Sequence, residues 1–553
     1  MTEAELHALG QAERERQEKF ECRVFCCDST SCRMSGSQAV VEAIQQQVAG
    51  RADVVLTGCM GLCSHGPLVR IEHRDKPATL LTRLKASHIT DADDDIDLAD
   101  SSCQAQEVSL SDPFFAKQKK VVTSTLDRND PTSLAHYLAT GGYQALAEAI
   151  LRRSPESIAD DIARSGLRGR GGAGYPAGLK WNAVRQAKGS TKFVVANGDE
   201  GDPGAFMDRT IIEDDPHRLL EGMLIAAFAV GAGDAFLYVR VEVPAAIERF
   251  KIALADAEAV GLIGSSILGS KFSCDVHVRM GAGAFVCGEE TALMASIEGK
   301  RGIPRLRPPY PPEHGIHGYP TLINNVETLA NVPTIIAAGP EAFAAIGTGS
   351  SRGTKVFSIS GSIQRSGVIE VPLGISLREI VFEMGGGPKT GHQIKAVQCG
   401  GPSGGCVPEN NLDLTVDYDT MKQFGVIMGS GGMIVLDEQT DMVRFSKYFM
   451  EFCRDESCGK CVPCRVGTVQ MSRLLDRIDR GNGSLQDIDR LIELGELLQQ
   501  ASLCGLGQAA PNPVLGSLRH FRDEFLAKIG SQQRGISDLS SMILASPIGN
   551  TTA

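Results

Sequence analysis

Two kinds of residue in this chain are spaced for chemistry: glycines crowded among cations, and cysteines in tight series. Between Gly166 and Arg209, the glycines Gly166, Gly169, Gly171, Gly172, Gly174 and Gly178 strip side chains from a short run of backbone. Glycine lets a ligand approach the chain closely, and bare N–H groups pointing one way make a nest for phosphate. Arg168, Arg170 and Lys180 add positive charge, and an apolar strand, Phe193 to Ala196, then delivers Asp199, Glu200 and Asp202. This suits a phosphorylated, hydroxyl-rich cofactor, with phosphate on the N–H groups and ribose or ring N–H groups on the carboxylates. A Gly-rich surface loop is the alternative, because a lone glycine pattern carries little weight. A second Gly-rich loop from Gly281 opens a helix with Glu289 and Glu290 in its first turn, where acids also simply suit the helix dipole. The stiff basic segment Arg301 to Pro312 reads as a lid over a dinucleotide, and Asn324 and Asn325 can read a ring amide or a phosphate.

Sixteen cysteines are many for one chain. In a reducing compartment, clustered thiols indicate metal rather than disulfides. Cys458, Cys461 and Cys464 form a Cys-x2-Cys-x2-Cys series, with Cys504 far downstream. Three thiolates on one face and a distant fourth are the arrangement expected of a [4Fe–4S] cluster, and zinc sites seldom use a three-cysteine series of this kind. Near the N-terminus, Cys27-x4-Cys32 and Cys59-x3-Cys63 sit at two loop ends. Four thiolates on neighbouring loops suit a [2Fe–2S] cluster, with zinc as the alternative. Gly58, Gly61 and Ser29 allow tight loops whose N–H groups can bond the sulfurs. Cys26 could replace Cys27 in principle; the x4 spacing favours Cys27.

The elements that must position these groups are bounded by size and charge. At ~100–200 residues per domain, 553 residues imply about three to five domains. A net charge of -12 argues against nucleic acid as a partner. No run of ~18 apolar residues predicts a membrane span, and Met1 to Phe20 lacks an apolar signal core, so a cytoplasmic location is expected.

Hydrophobic periodicity and turn residues predict a multidomain α/β chain. Residues 1–20 read as a charged helical arm, a candidate partner-binding element or simply a solvated helix. Residues 21–90 run strand, helix, strand, hairpin, a thioredoxin-like unit. Residues 91–116 are an acidic linker, extended by its aspartates. Residues 117–335 alternate helices and strands as a Rossmann-like cofactor domain, with single helices expected over Ser133–Ile150 and Ser154–Ser165. Residues 336–435 form a β-rich module of ubiquitin-like β-grasp type. Residues 436–530 are a helical bundle, with helices expected over Met442–Cys453, Thr468–Arg480, Ser484–Ala501 and Pro513–Ile529. Residues 531–553 read as a flexible tail.

Five stretches carry a family resemblance: Gly169 to Trp181, Asn197 to Gly204, Cys287 to Leu293, Asn324 to Thr328 and Ser457 to Cys464. Together they resemble the NADH-oxidising flavoprotein subunit of respiratory complex I and its soluble relatives, over about Asp130 to Ile529. The fused N-terminal cysteine unit is similar to that of the diaphorase subunit of NAD-reducing [NiFe] hydrogenases; flavoprotein subunits of NAD-dependent formate dehydrogenase and of electron-bifurcating hydrogenase are close competitors. The resemblance implies FMN, NAD(H), a [4Fe–4S] and a [2Fe–2S] cluster. It implies hydride exchange between NAD(H) and FMN with no side chain acting as acid or base, and partners that are iron–sulfur subunits plus a hydrogenase or formate dehydrogenase catalytic subunit. By the family pattern, Gly169, Arg170, Gly171, Gly172, Lys180, Asn197, Asp199, Glu200, Asn324 and Asn325 would hold FMN. Tyr175, Asp202, Glu289, Glu290, Arg307 and Tyr310 would meet the nicotinamide dinucleotide. The chain departs from the complex I form at Ala183, Asp202 and Arg307, which stand in place of an aromatic residue, Glu and Lys.

Overall fold

The computed structural model of the chain describes residues 1–48, 50–89 and 106–529. Most of the expected acidic linker and the whole of the expected 531–553 tail lie outside the described residues.

The N-terminal arm is helix α1 (Glu3–Gln17), opened by a capping box between Thr2 and Glu5. It lies against the rest of the chain: Leu6 is buried, Arg14 donates to the Ala139 carbonyl at 3.0 Å and Arg16 pairs with Asp53 at 2.9 Å. The unit that follows contains β1 (Cys22–Cys27), α2 (Thr30–Met34), α3 (Ser37–Val48), β2 (Asp53–Thr57), β3 (Leu68–His73), β4 (Thr79–Thr82) and β5 (Gln106–Val108). Its sheet runs β2-β1-β3-β4-β5, with β1 and β2 parallel and the other pairs antiparallel. The fifth strand falls within the stretch expected to be linker. Side chains alternate across a strand, and in β1 this sends Cys22, Val24 and Cys26 into a core under α3 and Phe25 and Cys27 to the opposite face.

The central domain is built on a parallel sheet of β6 (Phe193–Gly198), β7 (Asp234–Arg240), β8 (Asp275–Gly281) and β9 (Thr321–Asn325), in the order β8-β7-β6-β9. Helices α4 (Ala177–Gln186), α5 (Met207–Asp214), α6 (Pro216–Val230), α7 (Pro244–Ala259) and α8 (Glu290–Ile297) accompany it. Helix α6 is apolar almost all round and buried along nearly its whole length, as a central core helix must be. The single helix expected over Ser133–Ile150 is two, Leu134–Ala139 and Gln144–Arg152, because Gly141 and Tyr143 take positive φ between them.

A second sheet joins β10 (Thr354–Gly361), β11 (Gly367–Pro372), β12 (Ile394–Cys399), β13 (Gly405–Pro408) and β14 (Gly432–Asp437), in the order β11-β10-β14-β12-β13. The central β10–β14 pair is parallel and the others antiparallel. Phe343, expected in this module, packs instead in the core of the preceding domain. The exposed face of β1 does not meet solvent: Phe25, Cys27, Met60 and Leu62 share one core with Phe357, Ile369 and Val371. The chain ends in α9 (Met442–Asp455), α10 (Val462–Asp479), α11 (Leu485–Ala501), α12 (Gly505–Ala509) and α13 (Asn512–His520), packed around Met450, Leu475, Leu491 and Val514. Helix α10 starts earlier than expected because Pro463, with its fixed φ, suits a first helical turn. The helical stretch expected over Pro513–Ile529 breaks once, at Phe521, which leaves helical geometry after α13, and helix resumes over residues 522–529.

Candidate functional site

The strand order reverses between β6 and β9, and ligands of open parallel sheets bind beyond the carboxyl ends of strands at such a switch. A cleft of about 1070 Å³ opens there. Asn197 from the end of β6 and Asn324 and Asn325 from the end of β9 line it, with Gly169, Gly171 and Lys180 opposite. A single small ligand fills ~300–1,000 Å³, so the space suits a ligand of dinucleotide size or a pair of ligands.

The Gly-rich loop is held by its own backbone and by the second sheet. Gly169 donates to the Tyr175 carbonyl at 2.8 Å, and Gly172 bridges to Gly429. Gly172 and Gly174 take positive φ; a Cβ at Gly174 would stand 2.5 Å from the Tyr418 ring, so the close approach requires glycine. Arg170, expected among the ligand contacts, points the other way. Its guanidinium is buried and donates to the carbonyls of Thr354 at 3.0 Å, Arg168 at 2.8 Å and Arg352 at 2.7 Å. Its charge is spent on fastening the loop.

The remaining expected residues divide between the cleft and its supports. Lys180 pairs with Glu290 and donates to the Ile323 carbonyl at 3.0 Å. Arg307 stands 3.5 Å from Glu290 and 4.0 Å from Glu289. Glu289 also caps α8, accepting from the N–H groups of Thr291 and Ala292 at 2.9 and 3.0 Å. Asn197 donates to the Gly288 carbonyl at 3.0 Å, Asn324 accepts from the Trp181 indole at 2.9 Å, and Asn325 donates to Asp208 at 2.5 Å. Tyr175 and Tyr310 stand half-exposed on the cleft's wall.

Three acids lie away from the cleft lining. Glu200 accepts from the N–H groups of Asp208 and Arg209 at 2.9 and 2.8 Å and so anchors the start of α5. Asp202 accepts from the Ser430 hydroxyl at 2.9 Å, and burial pushes its pKa to about 7. It is not among the residues that line the cleft. Asp199 stands behind Gly288, where an added Cβ would be 3.5 Å from its Oδ2. Both of its oxygens are buried without a hydrogen-bond partner among the described residues, and burial raises its pKa to about 7.

Several lining residues carry too faint a sequence signal to have been expected. Leu179, Gln186 and Ala187 line the cleft from one face of α4, together with Ala183, which the resemblance to the complex I form already marks. Their spacing of i, i+4, i+7 and i+8 is a helical stripe that the sequence does carry, hidden because only Leu179 is strongly apolar.

Beside the cleft lies a narrow recess lined by Cys458, Cys461, Cys464 and Cys504, with Val286, Pro304 and Leu506 as apolar cover. Cys461 precedes α10, Cys464 lies in its first turn, and Cys504 precedes α12. Burial raises the Cys504 thiol pKa, and the N–H groups of Gly507 and Leu506, at the start of α12, act in the opposite direction. The Ser457 hydroxyl is 3.2 Å from Cys464 Sγ. The two spaces share a wall: Gly288 and Gly505 face the cleft, while Val286 and Cys504 face the recess.

The second quartet lies where the N-terminal unit meets helix α5 and the second sheet. Cys27 is in hydrogen-bond contact with Cys32 and Cys59, and Cys59 Sγ is 3.5 Å from Cys63 Sγ. Cys26 is turned into the other core. N–H groups of Ser29 and Met60 point at Cys27, and that of Gly61 at Cys59, 3.3 Å away. Cys27 is held well below the usual thiol pKa, first by the Cys32 and Cys59 thiols. Among the described residues, no three His, Cys, Asp or Glu converge as ligands of a single metal ion, and none of the helices is long and apolar enough to cross a membrane.

The residues present fit the groups the family resemblance implies. The glycine cradle leaves backbone open to a phosphate, the orphaned Asp199 carboxylate awaits a donor just behind the wall, and the recess offers four thiols with N–H and hydroxyl donors, the chemistry of an iron–sulfur ligand set.

Comparison with known proteins agrees. Residues 162–334 match the Nuo51 FMN-binding domain, and residues 444–528 match the NADH-ubiquinone oxidoreductase-F iron-sulfur binding region. The chain is 48% identical over 417 residues to the NADP-reducing hydrogenase subunit HndC of Solidesulfovibrio fructosivorans, covering 75% of this chain and 85% of that one. It is 44% identical over 409 residues to a subunit of the NADH-quinone oxidoreductase of Rhizobium meliloti, covering 74% of this chain and 97% of that one. The fold resembles a chain of an NAD+-reducing [NiFe]-hydrogenase in the air-oxidized state, with a TM-score of 0.65 and 30% identity over 95% of this chain and 93% of that one. A parallel-sheet cleft walled against a four-cysteine recess, with these relatives, places the chain in the NADH-oxidising FMN and [4Fe–4S] flavoprotein family of complex I and the soluble hydrogenases.

Proposed function

We propose that this chain is the NAD(H) diaphorase subunit of a soluble hydrogenase, exchanging electron pairs with a nicotinamide dinucleotide and single electrons with iron–sulfur partner subunits. The wall shared by cleft and recess carries this reading: one side suits a flavin mononucleotide and the other an iron–sulfur cluster, a residue or two apart. When bound, FMN supplies the conversion between hydride transfer and one-electron transfer. Gly171 would give it a backbone N–H group beside Gly169, whose own N–H is held by Tyr175, and Asn197, Asn324 and Asn325 would orient it from the strand ends. Lys180, tied to Glu290, would lie where a flavin ring and a nicotinamide meet. Tyr175 and Tyr310 would flank the adenine end, and Glu289, Glu290 and Arg307 would position the nicotinamide ribose. No acid or base is needed at the reacting carbon; alignment and exclusion of water are the protein's part.

Cys458, Cys461, Cys464 and Cys504 would hold the [4Fe–4S] cluster, and Cys27, Cys32, Cys59 and Cys63 a [2Fe–2S] cluster. The strand orders and pairings support a thioredoxin-like N-terminal unit and a ubiquitin-like β-grasp module. A hydrogenase partner is favoured over formate dehydrogenase by the names of two relatives, one NADP-reducing and one NAD+-reducing. With Asp202 outside the cleft lining, choice between the two dinucleotides rests on other residues. Two sets of thiols kept ready for iron support a cytoplasmic setting.

The test is FMN reconstitution of the anaerobically purified chain, followed by NADH-driven dye reduction. Trp181, the only tryptophan, is fully buried and hydrogen-bonded to cleft-lining Asn324. Its emission should fall as FMN binds, and dye reduction should appear in parallel. Emission quenched without any NADH-dependent turnover would defeat the catalytic reading.

A further inference from the structure

Helix α5 ends in two acids where helix electrostatics calls for cations. Glu213 and Asp214 occupy its last turn, which holds no basic residue, and both are buried. Carboxylates at a helix C-terminus are repelled by the exposed carbonyls, and burying them costs more. Something at that end must offset both costs.

The partners come from the two cysteine loops of the N-terminal unit. Glu213 accepts from the Thr30 N–H at 2.7 Å and from the Thr30 hydroxyl at 2.7 and 2.8 Å. Asp214 accepts from the N–H of Cys59 itself at 3.0 Å. Arg249, buried on α7, donates to Asp214 at 2.9 Å and to both the Asp28 carboxylate and carbonyl at 2.8 Å. Asp28 follows Cys27, and Thr30 stands two residues before Cys32. Gly58 makes room: a Cβ there would fall 2.3 Å from Asp214 Cβ. Three carboxylates, Asp28, Glu213 and Asp214, face two guanidinium groups, Arg249 and Arg33. Of the three, Glu213 is the least compensated, 4.0 Å from Arg249 where Asp214 and Asp28 stand at 2.9 and 2.8 Å.

We propose that Glu213 and Asp214 are positioning residues for the N-terminal thiol quartet, holding both cysteine loops and depressing the reduction potential of the cluster those loops carry. This rests on the reading that Cys27, Cys32, Cys59 and Cys63 hold a [2Fe–2S] cluster. A negative charge beside an iron–sulfur centre disfavours the added electron, and at short range inside a protein the interaction is large enough to move the reduced-to-oxidised ratio about tenfold at fixed potential. The opposite end of α5 is gripped by Glu200 and by Asn325 through Asp208. At 1.5 Å per residue this eight-residue helix runs about 12 Å from the cleft floor to the quartet.

The experiment is an electron paramagnetic resonance redox titration of the full-length, cluster-loaded chain, with dithionite as electron donor. Wild type, Asp214→Asn, Glu213→Gln and Asp214→Glu are compared. The two charge-removing variants should each raise the midpoint of the [2Fe–2S] signal by about 59 mV, the one-electron equivalent of tenfold. Asp214→Glu should stay near wild type, and the [4Fe–4S] midpoint should not move in any variant. A full [2Fe–2S] signal with an unchanged midpoint in both Asp214→Asn and Glu213→Gln would overturn the proposal and leave the quartet assignment standing. Absence of that signal from loaded wild type would overturn the quartet assignment, and the proposal with it.

Discussion

The two thiol quartets differ in how they are assembled. The C-terminal one is largely a local product: three of its cysteines fall within seven residues, at the start of α10, and only Cys504 comes from elsewhere in the bundle. Its recess lies against the cleft, and Cys458 and Cys461 remain partly exposed. The N-terminal quartet is set in a junction. Its loops are bonded to α5 of the central domain and to the second sheet, where Val368 donates to the Gly61 carbonyl at 2.8 Å and Ser64 to that of Ser366 at 3.0 Å. A cluster in the first location would lie against the cleft with two of its thiols partly exposed; in the second, Cys27, Cys32 and Cys59 are buried and Cys63 is partly exposed. Under the proposed function, the first would lie in the electron route and the second would be a side relay or a second exit.

The largest expected effect breaks this comparison directly. Cys461→Ser should cut NADH-driven reduction of a one-electron acceptor by 100-fold or more, while NADH bleaching of bound FMN in stopped flow stays within threefold of wild type. Cys59→Ser should leave both rates within about threefold. Equal losses from the two substitutions would mean that the quartets lie on a single route.

How much of this could be read in advance follows from the same contrast. The Cys-x2-Cys-x2-Cys series is legible because its geometry is local, and the Gly-rich loop because bare backbone leaves a mark in composition. Cys27 could be preferred to Cys26 from spacing, and strand alternation gives the physical reason. What stayed hidden depends on acceptors far along the chain. Nothing beside Arg170 reveals that its partners are the carbonyls of Thr354 and Arg352. Glu200 and Asp202 stand in an acidic turn that reads as ligand-binding, yet one anchors a helix and the other meets Ser430. Asp214 and Arg249 show no pattern at all until the N-terminal unit is folded against them.

A middle-sized effect tests how tightly the junction quartet is packed. A Cβ at Gly66 would stand 3.0 Å from Cys32 Sγ, closer than side chains ordinarily approach. Because the loop around it is fixed from several directions, the sulfur has little room to yield. Gly66→Ala should therefore lower [2Fe–2S] occupancy severalfold by iron analysis and spin quantitation, with [4Fe–4S] occupancy unchanged. Full occupancy in the variant would show that the junction is softer than its contacts imply.

The smallest effect sharpens the electrostatic side of the contrast. Ser457 Oγ lies 3.2 Å from Cys464 Sγ, and once that sulfur is a cluster thiolate only the hydroxyl has a proton to give. A donated hydrogen bond stabilises the extra negative charge of the reduced centre, so it raises the potential. A net hydrogen bond is worth ~0.5–1.5 kcal/mol, and only part of that differs between oxidation states. Ser457→Ala should lower the [4Fe–4S] midpoint by roughly 30 mV, about threefold in the reduced-to-oxidised ratio for one electron, and should leave the [2Fe–2S] midpoint alone. The shift runs opposite in sign to that expected of Asp214→Asn at the other quartet. One site is tuned upward by a hydroxyl and the other downward by carboxylates, so a pair of titrations moving in the same direction would refute the contrast even if both variants fold and load normally.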